Sequence, residues 1–256
     1  MEATWDGRAY AEAAGHHRAL DDWFLDRHRP APADRVVDVG CGSGEFTAQL
    51  ATLVPSGSVL GVDPDPSMVE AARRREGRNI TFVRGPAQEL DAVVSAASVD
   101  LVVSRAALHW IPLADHPRCY EAVHSVLRPG GTFHAESGGA GNVSRFVAVL
   151  DSVAEALGSP PAATTFLDAA TAFELLEEAG FAPGPDAVRT VAQRRPFTRD
   201  ELLAMVRTQA VNGYRLDEDQ RDRFVADVAR RADELRRADG TWDQTFVRLE
   251  VLVRRP

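Results

Sequence analysis

Apolar and polar positions recur along the chain at two periods, and the switches between them predict its elements. Val36, Val37 and Val39 surround a single acid, Asp38, and read as a buried strand, because β-branched residues suit a pleated surface. Gly40, Gly42 and Gly44 follow at alternate positions, and Phe46, Leu50 and Leu53 then recur at helical spacing to about Val54. Pro55-Ser56-Gly57 turns the chain into a second strand over 58–62 that ends at Asp63. Asp65 and Pro66 predict an N-cap and a first-turn proline for a helix carrying Met68, Val69 and Ala72. Residues 80–83 and the unbroken apolar run 99–103 read as third and fourth strands, the latter of the kind a sheet covered on both faces requires. A helix over about 115–127, ended by Arg128-Pro129-Gly130-Gly131, precedes a fifth strand over 132–135. Strands alternating with helices through right-handed crossovers predict a doubly wound α/β sheet with ligands beyond the carboxyl ends of its strands.

The flanking segments are less regular. Residues 1–29 predict helix, with Trp5, Tyr10, Leu20, Trp23, Phe24 and Leu25 as apolar positions and Pro30 and Pro32 closing the segment. The pair His16-His17 has two readings there, a surface pair or part of a lid with Tyr10 or a histidine turned inward. Beyond the fifth strand, helices are expected over 143–157 and 169–179, the second stopped by Gly180, then a strand over 187–193. Helices over 199–212 and 217–237 and a final strand over 245–253 complete the chain. The charges of 217–237 suit a solvated face, with Phe224, Val228 and Leu235 at helical spacing beneath.

Composition narrows the class. With 256 residues and 45% hydrophobic content the chain can bury one substantial core. A net charge of −9 argues against non-specific binding to nucleic acid or to a membrane surface. Two cysteines, Cys41 and Cys119, make no disulfide framework, and neither a membrane-length apolar run nor a leader pattern is visible. A cytoplasmic protein, monomeric or homodimeric, is expected.

The glycine stretch carries the chemistry. Strand, glycine turn and helix in that order form a nucleotide-type loop, and glycine permits both positive φ and close ligand approach. The spacing is not G-x-G-x-x-G, and Asp38 stands two residues before the first glycine, where it would repel a pyrophosphate and attract a cationic amino group. That points to S-adenosylmethionine (SAM). Asp63, nineteen residues beyond Gly44, suits a ribose, because a carboxylate offers two acceptor oxygens.

Several stretches together resemble the class I SAM-dependent methyltransferases, in the small-molecule group related to trans-aconitate methyltransferase. They are Val37-Asp38-Val39-Gly40-Cys41-Gly42-Ser43-Gly44, Gly61-Val62-Asp63, Ala106-Ala107-Leu108-His109-Trp110-Ile111, Leu127-Arg128-Pro129-Gly130-Gly131, Gly138-Gly139-Ala140-Gly141-Asn142 and Phe246-Val247-Arg248-Leu249. The resemblance implies a single domain over 1–256, a Rossmann-like seven-stranded sheet with an antiparallel last strand and a helical cap. Its parts would be a lid over 1–29, a core over 30–136, cap insertions over about 137–167 and 195–240, and the final strand over 245–253. It places the methionine end of SAM near Asp38, Gly40, Cys41, Gly42 and Gly44, and Asp63 on the ribose, with Pro64 also among the cofactor-binding residues. Ala87 and Gln88 would lie beside the adenine, with Met68 either touching it or filling the core, and Ser104 and Ala106 near the sulfonium. Two departures stand out: Pro86 replaces the usual acid before Ala87, and Arg105 stands where asparagine is frequent.

Methyl transfer from SAM is an in-line displacement that yields S-adenosylhomocysteine and needs alignment and dryness more than acid–base groups. No metal is implied. His109 is the first candidate base, with a packing role as its alternative; Glu136 either orients a substrate or caps a loop. Arg105, Arg145 and Arg195 are candidate clamps for a carboxylate. Cys41 has no visible partner to activate it as a nucleophile. A small-molecule acceptor is therefore expected, a carboxylate or a secondary metabolite among the candidates, methylated on oxygen or nitrogen, with no nucleic-acid or membrane partner. The competing readings are a SAM-binding regulator without catalysis and a nicotinamide-dependent oxidoreductase on a similar sheet.

Overall fold

The computed structural model describes Trp5, Gly7 and residues 21–256. The expectations for Tyr10, His16, His17 and the rest of the amino-terminal lid lie outside the described residues. Helix α1 (Asp21–Arg27) leads into strand β1 (Arg35–Val39), helix α2 (Glu45–Leu53), β2 (Ser58–Asp63), α3 (Pro66–Arg73), β3 (Ile80–Arg84) and the single turn α4 (Leu90–Val93). Strand β4 (Val99–Arg105), α5 (His116–Val126), β5 (Leu127–Gly138), α6 (Ser144–Ala156) and α7 (Ala169–Glu178) follow. Strand β6 (Val188–Phe197), α8 (Arg199–Thr208), α9 (Glu218–Ala232) and β7 (Trp242–Arg254) close the described chain.

One sheet runs in the order β3-β2-β1-β4-β5-β7-β6, with β7 antiparallel to both its neighbours. This is the doubly wound, seven-stranded arrangement expected. Successive residues of β1 serve opposite faces. Val37 and Val39 join Val102, Tyr120, Val123 and Phe133 in the larger core under α5, whereas Val36 packs with Phe24, Leu50 and Leu101 under α1 and α2. The chain reverses its direction of growth between β1 and β4, so the loop after β1 opens at the switch point where such sheets bind ligands.

Most boundaries follow from local chemistry. Asp65 caps α3, its side chain accepting from Ser67 N–H at 2.8 Å and Met68 N–H at 3.1 Å, with Pro66 in the first turn. Reciprocal capping boxes, Thr198 with Glu201 and Asp217 with Gln220, start α8 and α9. Helix α9 ends at Ala232 rather than at 237, because the Trp242 indole N–H donates to the Ala232 carbonyl at 2.7 Å. Arg128-Pro129-Gly130-Gly131 is not a turn ahead of β5 but lies within it, where the pairing with β4 shifts register between Val99 and Leu101. Strands β6 and β7 also run longer than their patterns suggest, pairing as far as Phe197 with Trp242. Pro196 is tolerated because β6 is the edge strand.

The extended ends of β6 and β7 carry a second core. Phe146 and Leu150 of α6, Leu202 and Val206 of α8, and Phe224 and Val228 of α9 meet there with Trp242. His134 is fully buried on β5, stacked on Phe24 at 3.7 Å between ring centroids. No helix among the described residues is long and apolar enough to cross a membrane.

Candidate functional site

The glycine loop is held from behind. Gly40 and Cys41 N–H both donate to the Val62 carbonyl, at 2.8 and 3.1 Å, which draws the loop across the end of β2. Gly40 has φ +73°, and a Cβ there would stand 2.2 Å from that of Ala107, so only glycine fits between loop and neighbouring strand end. Gly42 N–H donates to Asp63 Oδ2 at 2.9 Å, and Asp65 N–H to Asp63 Oδ1 at 3.0 Å. Each Asp63 oxygen thus keeps a lone pair for a ligand. Burial pushes its carboxyl up to about 6 against the pull of those two amides.

A cavity of about 250 Å³ opens above this loop. Of the residues expected at the cofactor, Gly40, Gly42, Asp63, Pro64, Met68, Ala87, Gln88 and Ala106 line it. Asp38, Cys41, Gly44 and Ser104 do not. Asp38 is buried behind the loop, accepting from Thr47 Oγ1 at 2.6 Å, and burial raises its carboxyl to about 7. Cys41 packs into a small apolar cluster with Val69, Ile80 and Phe82, and burial pushes its thiol well above the ordinary range. Gly44 caps α2 in a left-handed conformation, and Ser104 Oγ locks β4 to the Val39 carbonyl at 2.8 Å. Trp5 reaches the same cavity, meeting Trp110 edge to face with ring centroids 5.0 Å apart.

Trp110 also borders a second cavity, of about 110 Å³, so one indole separates the two. Its far walls come from α6, the 162–166 segment, the 205–214 region and the start of β7. His109 lines it. The His109 ring meets a backbone partner: Gly138 N–H donates to Nδ1 at 3.3 Å. Burial first, and then the nearby Arg248 guanidinium, push this imidazole down to about 3, so it is neutral and presents Nε2–H. Val143, at the same wall, holds φ +41°, a strained conformation for a β-branched residue.

Glu136 lines neither cavity. It is fully buried beneath them, bonded by Arg248 Nε, with Arg105 Nε 3.9 Å from its other oxygen. Arg105 borders the cofactor-side cavity and lies over the Phe46 ring at 5.1 Å; Arg248 borders the second cavity. Of the other two candidate clamps, Arg145 is exposed and Arg195 stacks on Phe197 beside Glu201, both away from these walls. Arg248, Gln209 and Trp110 were not singled out from the sequence, although Trp110 and Arg248 stand inside the family-like stretches. Among the described residues no group of acids, histidines and cysteines is arranged to hold a metal ion.

Known proteins match this chain at both levels. A family described as a methyltransferase domain matches residues 36–131. The trans-aconitate 2-methyltransferase of Rhodococcus jostii is 30% identical over 97% of this chain and 98% of that protein. A protein of the same name from Deinococcus radiodurans is 45% identical, but the match spans 39% of this chain and about a third, 36%, of that protein. Among solved structures, the YcgJ protein of Bacillus subtilis superposes with a TM-score of 0.63 at 18% identity, covering 94% of this chain and 100% of that one, a likeness of fold.

Proposed function

Since the chain belongs to the class I SAM-dependent methyltransferases, in the group related to trans-aconitate methyltransferase, we propose that it methylates a small molecule bound in the second cavity. The observation that carries this reading is the pair of abutting cavities with Trp110 as their common wall, one floored by the glycine loop and Asp63. When bound, SAM supplies a methyl group already activated by the positive sulfur. The residues present fit that molecule. Asp63 has lone pairs free for two ribose hydroxyls, and Met68, Pro86 and Ala87 form an apolar slot for the adenine. Pro86 has no side-chain oxygen to accept from the adenine amino group, so packing holds that ring. Asp38, buried beneath the loop where burial disfavours its anion, is the carboxyl that a bound ammonium would draw into its ionised form.

The chain's part in the reaction is alignment and exclusion of water. Trp110 and His109 form the wall across which acceptor and methyl meet. His109 serves there as a neutral hydrogen-bond donor, and Glu136 as a positioning residue that holds Arg248 in place. Neither acts as a base, so the acceptor brings a lone pair that needs no deprotonation. Two buried free thiols, Cys41 and Cys119, and the lack of a membrane-length helix among the described residues support placing the protein in the reducing cytoplasm.

Calorimetry with SAM and S-adenosylhomocysteine tests the reading. Asp63→Ala should weaken both by tenfold or more, about one charge-assisted hydrogen bond. Wild-type protein that binds neither would refute it.

A further inference from the structure

The second cavity is built for one charge and an apolar body. Arg248, 3% exposed, spends Nε on Glu136, while its Nη2 is buried with no hydrogen-bond partner. Gln209 Nε2 at the same cavity is buried and unpartnered as well. Two orphaned donors, one of them cationic, are costly unless a ligand oxygen completes them. The rest of the lining is mostly apolar, with Phe146, Leu150, Phe166, Met205 and Phe246 among it. With His109 neutral, Arg248 carries the one formal charge among the described residues of this lining.

We propose that the methyl acceptor is an amphipathic acid with a single carboxylate, its head seated on Arg248 and Gln209 and its apolar body among the aromatic and aliphatic side chains. This rests on the methyltransferase reading above and narrows it. An ammonium or protonated amine meets the Arg248 guanidinium and is repelled. An alcohol or phenol needs a base, and the lining has none: His109 is neutral, with Nδ1 taken by Gly138, and the Tyr214 hydroxyl donates to Asp151 at 2.7 Å. A carboxylate arrives ionised. One of its oxygen lone pairs forms the new bond to the methyl carbon as the carbon–sulfur bond breaks. The electron pair returns to sulfur, the two opposite charges cancel, and no proton moves. A tricarboxylate, by contrast, would put two further anions against apolar walls with no cation to meet them.

The 256-residue chain with SAM is tested on octanoate and 4-phenylbutyrate, against trans-aconitate, 1-octanol and octylamine. Mass spectrometry of the product and S-adenosylhomocysteine release are the readouts. Methyl esters should form from the monocarboxylates, with kcat/KM at least tenfold above that for the tricarboxylate. Gln209→Leu should raise KM for the acid about fivefold with kcat and SAM affinity unchanged. Arg248→Met should cost about 30-fold or more in kcat/KM. Because that variant leaves Glu136 short of a partner, Met205→Trp, which shortens the apolar space, is read alongside and should shift preference toward shorter acids. Preference for the tricarboxylate, equal methylation of the alcohol or amine, or SAM binding without ester from any acid would each overturn this inference and leave the cofactor reading standing. Failure to bind SAM would overturn both.

Discussion

Replacing Asp38 by asparagine tests whether the cofactor loop is held at a cost to stability. Burial raises this carboxyl from an ordinary 3.8 to about 7, against the opposing hydrogen bond from Thr47. The folded chain therefore holds the proton more tightly than the unfolded one, the reverse of a salt-bridged acid. Well below the ordinary 3.8 the group is neutral in both states and costs nothing. As pH rises toward 7 only the unfolded state ionises freely, so the contribution to stability falls, levelling off above the folded value. At 1.36 kcal/mol per pKa unit, the difference amounts to about 4 kcal/mol at pH 8. Asparagine has no charge to lose, and any fixed cost of its amide beside Thr47 cancels when two pH values are compared. From pH 5 to pH 8 the variant should gain about 3 kcal/mol on wild type, or about 6 °C in Tm for a chain of this size. Thermal denaturation of both ligand-free proteins, followed by circular dichroism at several pH values, measures that gain. A Tm difference constant to within about 2 °C would refute the reasoning. The same variant should bind SAM more weakly, since the ammonium loses its buried counter-charge.

Two further outcomes follow from the site. Gly40→Ala places a side chain at φ +73° and 2.2 Å from Ala107 Cβ. The conformation alone costs about 1–2 kcal/mol, and the clash adds to it, so Tm should drop by about 4 °C or more and SAM affinity with it; an unchanged Tm would show that the loop relaxes freely. With His109 already neutral above about pH 3, kcat under saturating substrates should stay level from pH 6 to 9. A histidine-like inflection near 6.5 that vanishes in His109→Gln would overturn the donor role.

The two halves of the site differed in how far the sequence disclosed them, for a physical reason. The cofactor half is local: Val36 to Gly44 is a strand running into a turn, and Asp63 ends the strand that pairs beside it, Val39 opposite Val62. Spacing could place that loop, but not say which of its residues face outward, and so Asp38, Cys41, Gly44 and Ser104 turned out to brace the backbone while Gly40 and Gly42 reach the cavity. The acceptor half is assembled from distant segments. Along β7, Arg248 and Glu250 alternate with Val247, Leu249 and Val251, a pattern that reads as one buried face and one wet face. In the fold both faces are covered: Glu250 is fully buried and Arg248 nearly so. The insertion of β7 between β5 and β6 sets Glu136 opposite Glu250 and Gly138 opposite Arg248, which brings the Arg248 guanidinium to Glu136 and leaves Glu250 to His134, Arg27 and Arg189. Charges that would not survive burial singly are retained because these cross-strand pairs satisfy them. Hydrophobic periodicity cannot report such pairing, since it depends on the register of strands more than a hundred residues apart. It is that register which commits one edge of the Arg248 guanidinium to Glu136 and leaves Nη2 for the acceptor.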